Sequence, residues 1–346
     1  MFKPKYTISD KLLSQIKQVD KLVFELNQKR FPNVVLVEFE KNARAVSSFA
    51  STSIEGNPLP LTEVKKVLKS KPEYIRDSER EVLNYNKALI ELNKKLKPSK
   101  IKISLNLILK IHQQVTRKFL PAHQSGHLRQ LPIIVNNPKT RKTVFFPPDV
   151  KDVGKLMKEL ILFVKNNQGK IDPLIIAGIF HKQMIVIHPF MDGNGRTARL
   201  ATKLLLAKLG LNTFNLFSFE NYYNQNVTRY FKFVGEQGDY YDLQKKINFT
   251  DWLEYFTEGI IDELLRVKKI LPNLNLNPDT QLKNHHQKIL TYIKENNFIT
   301  DKDYAKLVKR AKATRALDFQ KLLSLSLISR KGKGKSTYYT LKEIRK

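Results

Sequence analysis

Two apolar helical segments, Pro173 to Ile187 and Arg196 to Leu209, meet at the polar, glycine-rich turn His188-Pro-Phe-Met-Asp-Gly-Asn-Gly195. Apolar residues also recur at three- and four-residue spacing over Ile8 to Leu26, Val37 to Ser51, Leu61 to Leu68, Ser78 to Leu92, Leu105 to Val115, Val150 to Asn166, Asn226 to Glu236 and Trp252 to Lys269. That period predicts a mainly α fold. One stretch departs from it: Leu131 to Phe146 reads as two short strands around an Asn-Pro-Lys turn, a β-hairpin ended by Pro147 and Pro148.

At 346 residues the chain is long enough for two or three domains. The expected division is an N-terminal helical region over 1–95, a core over 96–270, a polar, Pro-containing linker over 271–280 and a C-terminal module over 281–346. With 41% hydrophobic and 27% charged residues, the composition is that of a folded chain. The absence of cysteine removes disulfides, thiolate metal sites and cysteine nucleophiles together. No apolar run approaches the roughly 18 residues of a membrane span, and the N-terminus lacks the pattern of a secretion signal. A cytoplasmic protein with no membrane partner is expected.

The net charge of +30 points to anionic partners or to a solvated basic face. It is densest at the end, where residues 281–346 carry 17 Lys and Arg against 5 Asp and Glu.

The turn itself carries chemistry. Gly193 and Gly195 flank Asn194, so the backbone there can bend and aim its amides at one point, as an anion nest requires. The helix expected from Arg196 adds unpaired N–H groups and a positive dipole end. Arg196 and Arg199, three residues apart, can fork onto phosphate oxygens from the same side. Asp192 offers a hard oxygen to Mg²⁺, and His188 is the one proton acceptor of the set at neutral pH.

The run from His188 to Arg199 resembles, at every position, the signature of the Fic family, His-Pro-Phe-x-(Asp or Glu)-Gly-Asn-Gly-Arg-x-x-Arg. The resemblance implies a helical Fic core with a β-hairpin flap and a nucleotidyltransferase that moves AMP from ATP, with Mg²⁺, to a Tyr, Thr or Ser hydroxyl of a protein substrate. It implies His188 as general base, Asp192 as metal ligand, Gly193, Asn194 and Gly195 as phosphate cradle, and Arg196 and Arg199 on the outer phosphates.

Upstream, Ser51-Thr-Ser-Ile-Glu55-Gly56-Asn57 closes a helix: Gly56 and Asn57 suit C-terminal caps, and Pro58 forbids continuation. Beside the motif this segment resembles the family's inhibitory sequence, which implies that Glu55 pairs with Arg199 where a γ-phosphate would lie, with Ser51 on the same helix face. The hairpin resembles the family's flap, an edge for strand addition by the target, and Gly126-His-Leu-Arg129 also fits the family pattern. The aromatic residues of Tyr222-Tyr223 and Tyr230-Phe231 suit a core as well as an adenine stack; Tyr230 is taken as the adenine contact.

Beyond the linker, helices are expected over His285 to Asn296, Tyr304 to Arg310 and Thr314 to Ser324, followed by Leu327-Ile-Ser-Arg330 and Thr337-Tyr-Tyr-Thr-Leu341 around a Lys-Gly-Lys-Gly-Lys turn. This order resembles a winged helix-turn-helix domain. Lys312, Thr314 and Arg315 would open its recognition helix and the wing lysines would meet DNA phosphates; dimerisation or protein docking is the other use of such a module, and a homodimer is compatible with the sequence. Two further activities stay open: a DNA-binding regulator whose Fic core senses nucleotide, and a de-AMPylase or phosphotransferase on the same scaffold.

Overall fold

The computed structural model describes residues 2–28, 33–70, 74–95, 103–136, 142–207, 211, 217–271, 282–325 and 327–342. The chain divides into two compact units, Met1–Phe24 with Ala43–Leu264, and Glu25–Asn42 with Leu265–Lys346. Most of the expected N-terminal region and core fall together in the first. The expected linker lies almost wholly outside the described residues, as does the Asn-Pro-Lys turn of the hairpin.

In the first part of the chain the helices are α1 (Asp10–Asn27), α2 (Asn33–Ile54), α3 (Leu61–Lys69), α4 (Asp77–Lys95) and α5 (Leu105–Val115). Then come α6 (Val150–Asn167), α7 (Pro173–Ile187), α8 (Asn194–Ala207), α9 (Glu220–Gln225), α10 (Val227–Val234), α11 (Tyr240–Leu243) and α12 (Thr250–Ile270). The fold is mainly helical, as expected.

Helix α7 is the axis of the first unit. Pro173 at its start follows Asp172, whose side chain accepts from the Leu174 amide at 2.8 Å, so the helix begins at a fixed residue. Nearly every side chain from Leu174 to Ile187 is then buried, the signature of a helix covered on all faces. Gly178 lets α12 approach: a Cβ there would meet Leu253 Cδ2 at 2.6 Å, and Trp252 Nε1 donates to the Gly178 carbonyl at 2.7 Å. Helix α8 is buried almost as completely.

The hairpin is shorter than expected. Strand β1 (Val135–Asn136) pairs antiparallel with β2 (Thr143–Phe146), while 131–134 stay out of the sheet, with Leu131 and Ile134 more than half exposed. Strand β2 also pairs in parallel with β3 (Gly238–Asp239), which leaves β1 at the edge. Neither β3, α9 nor α11 is long enough to show a period in the sequence.

The second unit contains α13 (Asn284–Asn296), α14 (Asp301–Leu307), α15 (Lys312–Ser324) and an antiparallel pair, β4 (Ile328–Lys331) with β5 (Tyr338–Leu341). Ile289, Leu290, Ile293, Ile299, Tyr304, Phe319 and Leu322 form its core. Helix α14 starts three residues before the periodicity suggests, because Thr300 and Asp303 form a reciprocal capping box. Beneath it Asp318 is nearly buried and accepts from the Tyr304 hydroxyl at 2.8 Å.

Candidate active site

His188 ends α7 in the left-handed conformation, with φ 49° and ψ 61°, which turns the chain sharply into the loop. Its Nδ1 lies 3.1 Å from the Ile185 carbonyl. A carbonyl only accepts, so Nδ1 carries the proton and Nε2 keeps the lone pair. Burial lowers the ring's pKa from the ordinary histidine value, against the opposing charges of Glu55 and Asp192, and the imidazole is neutral at pH 7. The residue is half-buried, not packed shut. It is therefore poised as a base.

Three contacts hold the loop that follows. Arg129, nearly buried, donates from Nε to the His188 carbonyl at 2.9 Å and from Nη2 to the Pro148 carbonyl, and its amide donates to the Pro189 carbonyl. His112 on α5 stacks on Phe190 with centroids 3.8 Å apart, and its Nε2 lies 2.9 Å from the Asp192 carbonyl. The Gly126 amide donates to His112 Nδ1, so that ring is neutral with its proton on Nε2; burial pushes its pKa down to about 4. Asn194 closes the turn from within, accepting from the Phe190 amide and donating to the Phe190 carbonyl, both at 2.9 Å.

These contacts correct several sequence expectations. Helix α8 starts at Asn194, two residues early, and the side chain of Asn194 is spent on the loop, while the first amides of the helix have no partner within it. Only Gly193, at φ 77°, takes a left-handed turn; Gly195 is helical, and its missing side chain makes room for the Glu55 carboxylate. Arg196 and Arg199 meet different protein partners. Arg196 faces Glu81 through Nη1 and both oxygens of Asp192 through Nη2 at 3.0 Å, with Phe119 below the guanidinium.

Arg199 is fully buried and almost fully satisfied. Nε donates to Ser51 Oγ at 2.8 Å, and Nη2 donates to the Ser51 carbonyl and to Glu55 Oε1, each at 2.7 Å. Desolvation, the largest single influence, works against its charge, but the Glu55 carboxylate, its hydrogen bond and the neighbouring Tyr230 and Tyr85 together outweigh it and the pKa is raised. Glu55 is placed by the end of α2: the Asn57 amide reaches the Thr52 carbonyl, the Gly56 amide reaches Ser53, and Gly56 has φ 94°. That is a Schellman motif with glycine at its left-handed position. The sequence's cap signal thus fixes the carboxylate that meets the arginine.

Tyr230 is not an adenine stack. It is fully buried, its ring 5.0 Å from that of Tyr223 and among Phe231, His181 and Trp252, with no face left for a base. Its hydroxyl lies 2.9 Å from His181 Nε2 and 3.5 Å from Arg199 Nη1. The Thr202 hydroxyl donates to the Ala198 carbonyl and so accepts from His181 Nδ1, which leaves His181 Nε2 to accept from Tyr230. The phenol oxygen then presents a lone pair to Arg199.

Glu81 and His112 are the site residues that sequence reasoning missed, and Arg129, which the sequence singled out only as part of a family pattern, shows its role as a clamp here. Glu81 and His112 lie on buried helix faces: a histidine on an otherwise apolar helix stripe reads as core until its partners are known. Burial raises the Glu81 carboxyl, against the pull of Arg196.

The donor set suits Mg²⁺ held by a single protein carboxylate together with phosphates and water, since Asp192 is a hard oxygen ligand whose side chain is 46% exposed. The helix start, the buried arginine and the neutral histidine bring positive charge and a proton acceptor to one place.

Residues 102–206 match the model of the Fic/DOC family. A protein of Drosophila grimshawi named protein adenylyltransferase Fic is 29% identical over 182 residues, which cover 51% of this chain and 36% of the relative. One of the same name from Aedes aegypti is 28% identical over 217 residues, covering 57% and 42%. The chain thus matches well under half the length of these curated relatives. Among solved structures, a Fic family protein from Desulfovibrio desulfuricans G20 aligns over 98% of both chains with a TM-score of 0.67 and 19% identity. Fic-1 from C. elegans aligns over 75% of this chain and 72% of its own with a TM-score of 0.58 and 21% identity. Both share the fold.

Proposed function

We propose that this chain, which carries a Fic domain, is a protein adenylyltransferase held in check by Glu55. The observation that supports it most is the pairing of a neutral His188, lone pair on Nε2, with a glycine-turned helix start beside it. In this reading a Tyr, Thr or Ser hydroxyl of another protein attacks the α-phosphorus of ATP. The bond to the β-phosphate oxygen breaks, pyrophosphate leaves, and His188 Nε2 takes the hydroxyl proton. The amides at the start of α8 bind oxygens of the phosphate chain and α8's dipole favours their charge. Bound at Asp192 and the phosphates, Mg²⁺ would supply neutralisation of their charge. Arg129, His112 and Asn194 keep the loop in shape, so that little reorganisation is needed when charge moves. The reading places the reaction in the cytoplasm.

The brake follows from Arg199. Its Nη2 is filled by Ser51 and Glu55, so it cannot grip an outer phosphate until the carboxylate leaves. The free edge at β1 supports strand addition by the target. Incubation of the protein with ATP, Mg²⁺ and lysate, followed by mass spectrometry of the modified peptides, tests the reading. Added AMP is the expected result; added phosphate, or only removal of AMP from modified proteins, would assign the phosphotransferase or the de-AMPylase instead.

A second reading concerns the C-terminal unit. Exposed Arg330, Lys331 and Lys333 on the hairpin and Lys312 at the start of α15 support a winged helix that meets DNA phosphates. Arg315 does not serve as a reader in it, because Nε and Nη2 each donate to Asp301 at 2.8 Å.

A further inference from the structure

Arg196 is 2% exposed, and its charge is shared between two carboxylates of different character. Asp192 is open, its side chain 46% exposed; Glu81 is enclosed, at 11%. Glu81 is fixed in turn by Asn57, whose Nδ2 donates to Oε2 at 2.6 Å and to the Ser78 carbonyl at 2.9 Å. Asn57 stands two residues after Glu55, at the end of the Schellman turn. Four side chains therefore run without a break from the segment that carries Glu55 to the loop that carries Asp192.

One cation between two anions leaves a single negative charge, and it resides on the exposed member. Take Glu81 away and, among the described residues, Arg196 has Asp192 as its one anionic partner; a buried guanidinium in that position would claim the whole carboxylate, because leaving it uncompensated costs far more. The charge offered to a metal would then cancel.

We propose that Glu81 is a positioning residue: by engaging the Arg196 guanidinium it leaves the Asp192 carboxylate available to a divalent cation on a bound nucleotide. The proposal rests on the His188–Arg199 loop being a nucleotide site. It gives the buried Glu81 a function that packing does not, and it makes Asn57 the link by which the α2 terminus reaches the metal ligand. Movement of that terminus alters two things together, the guanidinium of Arg199 and the charge on Asp192.

The test is calorimetric titration of the full chain with ADP, with and without Mg²⁺. ADP has no γ-phosphate and so does not contend with Glu55. The ratio of the two affinities isolates what the metal contributes. Glu81→Gln is expected to lower that ratio by about tenfold, as a unit charge removed within a few ångströms of a divalent cation should. The double variant Glu81→Gln/Arg196→Gln, which restores one net negative charge, is expected to recover most of the ratio even if ADP binds more weakly overall. An unchanged ratio in folded Glu81→Gln, or no recovery in the double variant, overturns the proposal while the nucleotide site stands; no ADP binding by the unaltered chain overturns both. Should Glu81→Gln fail to fold by circular dichroism, Asn57→Ala, which removes the donor and keeps the charge, is expected to give a smaller drop in the same direction, and an unchanged ratio there counts equally against it.

Discussion

The Glu55 carboxylate reaches Arg199 Nη2 at 2.7 Å across 144 residues of chain. It does so because a helix cap puts it there and because Gly195 has no side chain in the way. A local signal, the Glu-Gly-Asn end of α2, thereby controls a group in the middle of the first unit. Glu55→Gly should raise automodification with labelled ATP at least about tenfold, since it frees a guanidinium for the outer phosphates. No rise over the unaltered chain would remove the brake from the account.

The same substitution has a thermodynamic signature. Arg199 is fully buried, and losing its carboxylate leaves a charge partly unpaired, at a cost of roughly 1–3 kcal/mol. A nucleotide that supplies replacement oxygens restores it by mass action. The unliganded Tm of Glu55→Gly should therefore fall, and the rise in Tm on adding ATP and Mg²⁺ should exceed that of the unaltered chain.

His188→Ala should keep nucleotide binding and lose about a hundred- to ten-thousand-fold in transfer, the usual worth of a general base. Because burial lowers the pKa of His188, its base form persists below pH 6.5, where an ordinary histidine is half protonated. The transfer rate should stay level down to that pH and decline only beyond it; a decline centred at or above 6.5 would be inconsistent with the buried ring.

Tyr230→Phe separates a positioning role from adenine binding. It removes the acceptor for Arg199 and the donor to His181, so stability should fall by about 1–2 kcal/mol. Selectivity for ATP over GTP should be unchanged, as measured by competition for transfer.

His112 gives a pH dependence of stability whose sign is fixed by its burial. Folded, its pKa is about 4; unfolded, it reverts to about 6.5, so the unfolded chain binds the proton more readily. This contribution, about 3 kcal/mol, is complete above pH 6.5 and is lost progressively as pH falls toward 4. Urea unfolding across that range should show the slope, and His112→Gln, which does not titrate, should flatten it.

Much of this was legible because it is local. The long helices announce themselves by period, and both ends of α7 match the sequence reading, since Asp172-Pro173 and the polar turn after Ile187 are strong boundary signals. The motif supplied His188, Asp192 and both arginines, and the cap supplied Glu55. What remained hidden is what depends on distant partners. Nothing near Tyr230 says that its ring will lie against Tyr223 rather than a base. Nothing near Arg196 says that a residue 115 positions earlier, Glu81, will take half its charge, nor that Arg196 and Arg199, three residues apart, will meet different protein partners. Strand β3 has two residues, too few for any alternation to show.

If the C-terminal unit meets DNA through phosphates, binding to duplex should weaken steeply between about 50 and 200 mM salt and vanish on deleting 281–346. A flat salt profile would favour protein docking instead.

Transfer of label from ATP by Glu55→Gly tests the central claim most directly, with the radioactive phosphorus placed either at the α or at the γ position. The account predicts protein labelled from the α position alone, and none when His188→Ala is combined with the activating change. Label arriving from the γ position, or α-label undiminished without His188, would contradict it.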